Sequence, residues 1–365
     1  MNEKRTVLGL MSGTSLDGID AAIIVSDGKQ VFERGILHHQ AYAPEFRDKL
    51  RHALDLAAIT ETRISDGFFK DLEDELTDLH GEAVKGCLAA NSALAGDVSL
   101  IGFHGQTIFH KPENKFTWQL GDGERLAGAT GLDVVYDFRS ADVAAGGQGA
   151  PFASLYHQAL FRDISGKTSI AVQNIGGVGN VTWIRGAGIL AFDTGPGNAL
   201  LDDWVRGHTG KPFDEDGKIA KAGEMDEAII KAWINHPYFC AEPPKSLDRN
   251  AWPLDNLDKL SLEDGAATLT AFTVGSIIKS ANHFSERPGT WIITGGGRQN
   301  AFMMDQLSKT LGNVVAIESY GLDGCAIEAE AFAYLAMRSV LGLPLSVPTT
   351  TGVKKPTCGG VLVRR

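Results

Sequence analysis

Short apolar runs alternate with amphipathic stretches along the whole chain. Residues 6–27 contain two apolar runs on either side of a polar, Gly-rich turn, which predicts a strand–turn–strand unit at the N-terminus. Further short apolar runs at 100–102 and 132–136 predict buried strands. Between them, apolar side chains recur every three or four positions and predict an amphipathic helix over residues 64–88: Ile64, Phe68, Leu72, Leu76, Leu79, Ala83 and Cys87.

The same pattern begins again after Pro151. A strand at 168–174, a glycine turn at 175–179 and strands at 180–184 and 189–192 repeat the opening order. Helices are predicted at 199–206, 218–234, 264–284, 300–311 and 325–340. Strands alternating with helices in two similar halves favour an internally duplicated α/β fold, and 365 residues are enough for two domains.

We therefore predict an N-terminal domain over residues 1–150, joined by the C-terminal helix, and a C-terminal domain over residues 151–365. The tail from Pro344 to Arg365 shows little periodicity, and we expect an extended surface segment there.

The amino-acid composition indicates which kinds of binding partner are disfavoured. Acidic residues outnumber basic ones, 45 to 34, for a net charge of −11, which disfavours nucleic-acid and anionic-membrane partners. No apolar run approaches the roughly 20 residues of a membrane span. The four cysteines are far apart and form no CxxC pair, and the N-terminus lacks a signal-peptide core, so we expect a cytoplasmic protein. Glycine is unusually frequent, at 43 residues, which indicates many tight turns.

Four polar, glycine-rich turns each follow an apolar strand. Backbone N–H groups in such turns can bind anions, and glycine lets the backbone approach a ligand. Any single turn of this kind is more often a plain tight turn. The P-loop motif is absent, and so is a dinucleotide-type GxGxxG after a strand. The four turns lie at residues 12–20, 174–180, 192–198 and 294–300.

Three carboxylates stand at these turns. Asp193 ends a strand just before Thr-Gly-Pro-Gly, where it could act as a general base or simply cap the turn. Asp17 and Asp20 could contact Mg²⁺ or a sugar, or could make local turn hydrogen bonds.

Three further side chains are candidates for binding a sugar. His104 could bind a sugar hydroxyl or be a buried histidine with its own partners. Arg139 suits a ligand carboxylate, or an ion pair with Asp137 or Asp142. Glu328 lies among small residues and is either functional or solvent-facing.

Six motifs in this order resemble the 1,6-anhydro-N-acetylmuramic acid kinases. They are GLMSGTSLDGID, GFHGQT, DFRSADVAAGGQGAP, NIGGVGN, FDTGPGN and ITGGG, and the resemblance extends from about residue 7 to residue 340. The DFRSADVAAGGQGAP segment is the most specific of them. The chain departs from the family at Phe103, where many members have Ser, and at residues 244–249, where PKSLDR replaces PKSTGR.

The resemblance implies an actin-like, ribonuclease H-like duplicated fold with two domains around a central cleft for ATP and sugar. It implies phosphorylation of O6 of 1,6-anhydro-N-acetylmuramic acid by ATP with Mg²⁺, while water opens the anhydro ring. The products would be N-acetylmuramic acid 6-phosphate and ADP, in peptidoglycan recycling. It also implies a homodimer. Two alternatives remain: a simple sugar or N-acetylhexosamine kinase on the same fold, and a non-enzymatic ATP switch of the actin type.

The resemblance also implies residue roles. Asp193 matches the general base of the family, and no residue is assigned as a direct metal ligand. Sugar binding is assigned to His104, Gln119, Arg139 and Glu328. ATP binding is assigned to Gly13, Thr14, Ser15, Leu16, Asp17, Gly18, Ile19, Asp20, Asn174, Gly176, Gly177, Gly295, Gly296 and Gly297.

Overall fold

The computed structural model describes residues 3–13, 15–60, 62–247, 252 and 254–365. The chain forms two units, each with its own sheet: unit 1 is Met1–Leu160 with Cys325–Arg365, and unit 2 is Phe161–Gly324.

Unit 1 is built on a mixed sheet whose central strand is a continuous apolar run. The strands follow the order β13-β7-β5-β1-β2-β3, with β4 paired to β2 and β6 to β5. β1 is buried along nearly its whole length, as expected for a strand covered on both faces. The strands are β1 (Arg5–Ser12), β2 (Gly18–Ser26), β3 (Val31–Arg34), β4 (His38–Ala41), β5 (Val98–Lys111), β6 (Phe116–Leu120), β7 (Asp133–Tyr136) and β13 (Val361–Val363).

The helices of unit 1 cover this sheet. The longest begins after Asp66, whose side chain accepts a hydrogen bond from the Phe69 N–H and caps the helix. The helices are α1 (Pro44–Thr60), α2 (Gly67–Ala90), α3 (Ser92–Ala95), α4 (Gly123–Thr130), α5 (Ser140–Ala144), α6 (Ser154–Leu160), α13 (Ile327–Val340) and α14 (Pro348–Thr351).

Unit 2 has a five-stranded sheet in the order β10-β9-β8-β11-β12. Its strands are β8 (Ile170–Ile175), β9 (Val178–Arg185), β10 (Gly188–Pro196), β11 (Thr290–Thr294) and β12 (Val314–Ala316). Its helices are α7 (Arg162–Ser165), α8 (Ala199–Thr209), α9 (Lys218–Ala222), α10 (Glu227–Ile234), α11 (Leu262–Ser280) and α12 (Ala301–Leu311). Within the described part of the chain, no helix combines the length and apolar character needed to cross a membrane.

Both sheets follow the same topology. In each, the first three strands pair antiparallel, β1–β2–β3 and β8–β9–β10. Two later strands then add in parallel beside the first, β5 and β7 in unit 1 and β11 and β12 in unit 2. This repetition confirms the duplicated, actin-like α/β fold. It also brings the carboxyl ends of alternate strands to one edge of each sheet, where ligands of such sheets usually bind.

The division into units differs from the predicted boundary at 150/151. Unit 1 continues to Leu160, and Cys325–Arg365 belongs to it entirely. The reason is the close packing of α13 on the unit 1 sheet. A Cβ added to Gly9 would lie 1.8 Å from the carbonyl oxygen of Ala329 on that helix, so only glycine permits this approach.

Two predictions about local structure are wrong. The single helix expected over 218–234 is divided into α9 and α10, because Gly223 packs against the backbone of Glu263 and Asp226 caps the second helix. The tail, expected to be an extended surface segment, is partly buried. Leu345 and Val353 are buried, and β13 pairs with β7.

Acidification should destabilise unit 1 through two buried histidines. Burial lowers the pKa of both His80 and His157 to about 4, below the value of 6.5 expected in the unfolded chain. As the pH falls below 6.5, the unfolded chain takes up protons that the folded chain does not. Each histidine should therefore reduce the unfolding free energy by about 2.5 kcal/mol at pH 4.5 relative to pH 7.

The contribution of one histidine can be separated by substitution. His80→Leu should reduce the loss of stability between pH 7 and pH 4.5, measured by denaturant unfolding, because one titrating group is gone. His157→Leu, at the other buried histidine, should reduce that loss in the same way. An equally steep loss in His80→Leu would contradict this explanation.

Candidate functional site

In unit 1, the carboxyl end of β1 is bound to β5 through two side chains. The Ser12 hydroxyl donates to the Gly105 carbonyl at 3.2 Å, and the Gln106 amide donates to the Gly13 carbonyl at 3.2 Å. These bonds fix the start of the first glycine turn beside the GFHGQT segment. Two motifs that are about 90 residues apart in sequence thus lie together.

The first glycine turn is short. Leu16 has a positive φ of 56° and closes the turn by donating its N–H to Gly13, while the Ser15 hydroxyl donates to the Asp17 carboxylate at 2.6 Å. Thr14 lies outside the described residues.

The second half of the predicted ATP loop belongs to strand β2. Gly18 pairs with Ala41, and the Ile19 side chain lies in the core of unit 1. The Asp20 carboxylate binds the His39 ring at 2.7 Å. A phosphate contact from Ile19 would therefore have to come from its backbone.

The buried His104 and the half-buried Arg139 form a hydrogen-bonded pair in unit 1. The Arg139 Nε–H donates to His104 Nε2 at 2.9 Å, and because arginine can only donate, Nε2 is the acceptor. The other ring nitrogen, Nδ1, donates to the Gly105 carbonyl at 2.6 Å. Burial and the Arg139 charge hold the pKa of His104 well below its usual value. His104 is thus neutral, with both ring nitrogens engaged, and it orients Arg139.

Arg139 is fixed on its other side by the glycine loop of the DFRSADVAAGGQGAP segment. Its Nη1 donates to the Gly149 carbonyl at 2.5 Å, and its guanidinium lies 5.4 Å from the Phe152 ring centroid and 6.0 Å from that of Phe332. A planar cation held in this way is suited to bind a carboxylate.

Asp142 supports this loop, a role that the sequence did not suggest. Its carboxylate accepts from the Gly149 N–H at 2.8 Å, from the Ser346 hydroxyl at 2.5 Å and from the Thr351 hydroxyl at 2.6 Å. The C-terminal tail therefore holds the loop that positions Arg139. Only the position of Asp142 inside the motif could have indicated this.

The remaining sugar candidates of unit 1 are less buried. The Gln119 amide donates to the hydroxyls of Thr107 and Thr117, at 3.2 and 2.9 Å. Glu328 is exposed in the first turn of α13. Two positions further on, Glu330 is buried and accepts from the Tyr156 hydroxyl at 2.5 Å. Phe103 is also buried, so that departure fills the core.

In unit 2, Asp193 lies near the carboxyl end of β10 with only 8% of its surface exposed. Its carboxylate accepts from the Leu247 N–H at 2.9 Å, and its own N–H donates to the Lys245 carbonyl at 3.0 Å. The segment that departs from the family thus binds Asp193 through backbone atoms, which a change of side chain at Leu247 preserves. Asp248 and Arg249, the rest of that departure, lie outside the described residues.

Three glycine turns meet at the same edge of the unit 2 sheet. The Asn198 N–H donates to the Gly176 carbonyl at 2.7 Å, and the Gly197 N–H donates to the Gly177 carbonyl at 3.1 Å. A Cβ added to Gly295 would lie 2.2 Å from Asn174 Oδ1. The turns at 174–180, 192–198 and 294–300 therefore form one surface of closely packed backbone, together with Gly296 and Gly297.

The described residues offer no preformed metal cage. Among them, no three His, Cys, Asp or Glu side chains come together as metal ligands would. A Mg²⁺ ion carried by ATP needs only one or two protein carboxylates, since phosphates and water supply the other ligands. The Asp17 and Asp20 carboxylates hydrogen-bond to the Ser15 hydroxyl and the His39 ring, respectively.

Known proteins resemble this chain over its whole length. The sequence profile of the family described as anhydro-N-acetylmuramic acid kinase matches residues 5–365. A curated relative of that name from Methylobacterium nodulans is 48% identical, over 98% of this chain and 99% of the relative. Another from Agrobacterium fabrum is 45% identical over 100% of both chains. Among solved structures, the (R)-2-hydroxyglutaryl-CoA dehydratase component A of Acidaminococcus fermentans matches with a TM-score of 0.45 and 12% identity. That match covers 91% of this chain and 99% of the other.

Proposed function

The chain belongs to the anhydro-N-acetylmuramic acid kinase family, and from this premise we propose how its residues carry out the reaction. It is an ATP-using sugar kinase of peptidoglycan recycling whose acceptor is 1,6-anhydro-N-acetylmuramic acid. Water adds to C1, and the bond from C1 to O6 breaks. O6 forms a bond to the γ-phosphorus of ATP as the bond from that phosphorus to the β–γ bridging oxygen breaks, and this oxygen leaves with ADP. The products are N-acetylmuramic acid 6-phosphate and ADP, and the water proton passes to a base.

We assign Asp193 as that base, and its geometry is the observation that carries the proposal. The carboxylate is almost fully buried, and the Leu247 N–H fixes one of its oxygens. A carboxylate can accept several hydrogen bonds at once, so Asp193 can hold a water while bound to Leu247. A fixed base close to its proton is what general base catalysis requires.

Sugar recognition in unit 1 is assigned to Arg139, with Gln119 and Glu328 as further contacts. The lactyl group of the substrate carries a carboxylate, which matches a planar guanidinium. The neutral His104 supports Arg139 without adding a second positive charge.

Phosphate binding is assigned to the glycine turns. Gly13–Asp20 would serve in unit 1, and Asn174, Gly176, Gly177 and Gly295–Gly297 in unit 2. Backbone N–H groups at such turns bind phosphate oxygens, and close approach requires the absence of a side chain. Mg²⁺ bound with ATP would neutralise charge on the phosphates.

The cellular setting is part of the proposal. A cytoplasmic location is supported by four free thiols, of which Cys87 is buried and the other three are exposed. We further propose a homodimer.

The proposed reaction is tested by isotope incorporation. ADP release is measured with ATP, Mg²⁺ and the anhydro sugar in ¹⁸O-labelled water, and the product is analysed by mass spectrometry. Label at C1 of a 6-phosphorylated product is expected. A phosphorylated product without label would identify a simple sugar kinase. ATP turnover unaffected by the sugar would favour an ATP switch of the actin type.

A further inference from the structure

Asp193 belongs to a closed ring of hydrogen bonds that its proposed role as base does not explain. The Asp193 N–H donates to the Lys245 carbonyl at 3.0 Å, and the Lys245 ammonium donates to the Tyr238 carbonyl at 2.8 Å. The Tyr238 hydroxyl donates to the Asp193 carbonyl at 2.5 Å and completes the ring. We call these three residues the anchor ring.

The anchor ring lies at the free edge of the unit 2 sheet. Among the described strands, β10 is the terminal one and pairs with β9 alone, so its outward backbone groups need other partners. At Asp193 the Lys245 carbonyl accepts from the outward N–H, and the Tyr238 hydroxyl donates to the outward carbonyl. The Leu247 N–H donates to the carboxylate of the same residue. The orientation of the Asp193 carboxylate thus depends on where residues 245–247 are held.

The Lys245 ammonium is what holds that segment in place. Besides Tyr238, it donates to the Ala241 carbonyl at 2.9 Å, and it lies 4.7 Å from the Tyr238 ring centroid and 5.5 Å from that of Phe192. A cation between two carbonyls and two aromatic faces is well placed, and a neutral side chain would lose most of these interactions.

We propose that Lys245 is a positioning residue, whose ammonium keeps the segment 245–247 against β10 and thereby holds the Asp193 carboxylate in its working orientation. This inference rests on the proposed function, because it concerns the base of that reaction. Lys245 itself is not assigned a contact with substrate.

The charge state of Lys245 makes the proposal measurable. Burial lowers the pKa of Lys245 to about 8; Cys240 and Glu242 oppose this shift, and the nearby Lys279 adds to it. The other titratable groups that face it are Tyr238, whose pKa is raised by burial, and His283, whose pKa is lowered; His283 Nε2 lies 3.4 Å from the ammonium. The ammonium is therefore present below pH 8 and is lost as the pH rises above it, so kcat should fall there.

The test compares kcat, KM for ATP and pH profiles of Lys245→Met and Lys245→Arg with the wild type. Lys245→Met should lower kcat by about 30- to 100-fold, as expected for a displaced catalytic group, with KM for ATP within about twofold. Lys245→Arg should retain most of the activity. Its kcat should no longer fall near pH 8, because arginine stays protonated there.

A matched control is Lys279→Met. Lys279 also donates to a backbone carbonyl, that of Ile234 at 2.8 Å, but it lies outside the anchor ring. The Lys279→Met variant should keep kcat near the wild-type value. The fall of kcat in alkaline solution should begin at a higher pH, because a charge that lowers the pKa of Lys245 is gone.

Two results would overturn the inference. They are a Lys245→Met enzyme with kcat within threefold of wild type, and a Lys245→Arg enzyme that still declines near pH 8. The Lys245→Arg result would overturn the inference even if Lys245→Met does not fold. Asp193→Asn is measured in parallel. If it retains wild-type kcat, the assignment of Asp193 as the base has failed, whereas loss of activity in Asp193→Asn beside active Lys245 variants overturns only the role of Lys245.

Discussion

Asp193→Asn is expected to lower kcat for phosphorylation of the anhydro sugar by about 10³-fold or more, because general base catalysis at a fixed site contributes up to about 10⁴-fold. The asparagine side chain has the same shape, and its amide oxygen can still accept from the Leu247 N–H. The variant should therefore fold normally and bind both substrates, while the water that opens the ring loses its proton acceptor.

The measurement is single-turnover formation of the 6-phosphorylated product in labelled water. Asp214→Asn is the matched control in the same unit. Asp214 is also buried, and its carboxylate accepts two backbone N–H groups, from Ile219 and Ala220. It should lose stability but keep kcat. If Asp193→Asn retained more than a tenth of the wild-type kcat, Asp193 would not be the base.

Arg139→Met is expected to lower kcat/KM for the anhydro sugar by about 30- to 1000-fold, which corresponds to the loss of one partner of a buried charge pair. The guanidinium is already held by His104 and Gly149, so the side chain loses little conformational entropy when the substrate binds. The kcat/KM of Arg139→Lys should lie between those of the wild type and Arg139→Met, because lysine keeps the positive charge but lacks the paired N–H donors of the guanidinium. KM for ATP should change much less than KM for the sugar.

The substrate itself supplies the control for this prediction. A methyl ester of the lactyl group removes the ligand carboxylate, so the wild type should lose affinity for it, and Arg139→Met should lose little more. Arg125→Met, at an exposed ion pair with Asp78 in the same unit, should leave both KM values unchanged. Equal losses of Arg139→Met on the acid and on its ester would show that Arg139 acts elsewhere.

The sequence alone determined the local elements and the chemistry at their ends. Apolar runs located the inner strands β1, β2, β5, β7, β8, β9, β10 and β11, but not the short strands β3, β4, β6, β12 and β13. The predicted glycine turns all lie at strand ends, although parts of them belong to the strands themselves. This succeeded because strand burial and turn geometry depend on neighbouring residues. The motif order was also enough to identify the family.

The tertiary structure decided how side chains far apart in sequence support one another. His104 orients Arg139 from 35 residues away, Thr351 supports Asp142 from 209 residues away, and Leu247 holds Asp193 across 54 residues. No periodicity records such pairs, because they depend on which strand ends the sheet order brings to one edge.

The C-terminal tail is a second case in which contacts between distant segments could not be predicted from the sequence. Its composition resembles a surface segment, but the hydroxyls of Ser346 and Thr351 are buried against the Asp142 carboxylate. Only the long-range pairing of β13 with β7 and the packing of α13 bring it there. The sequence thus determined which groups carry the chemistry, while the packing of distant segments decided which residues hold those groups in place.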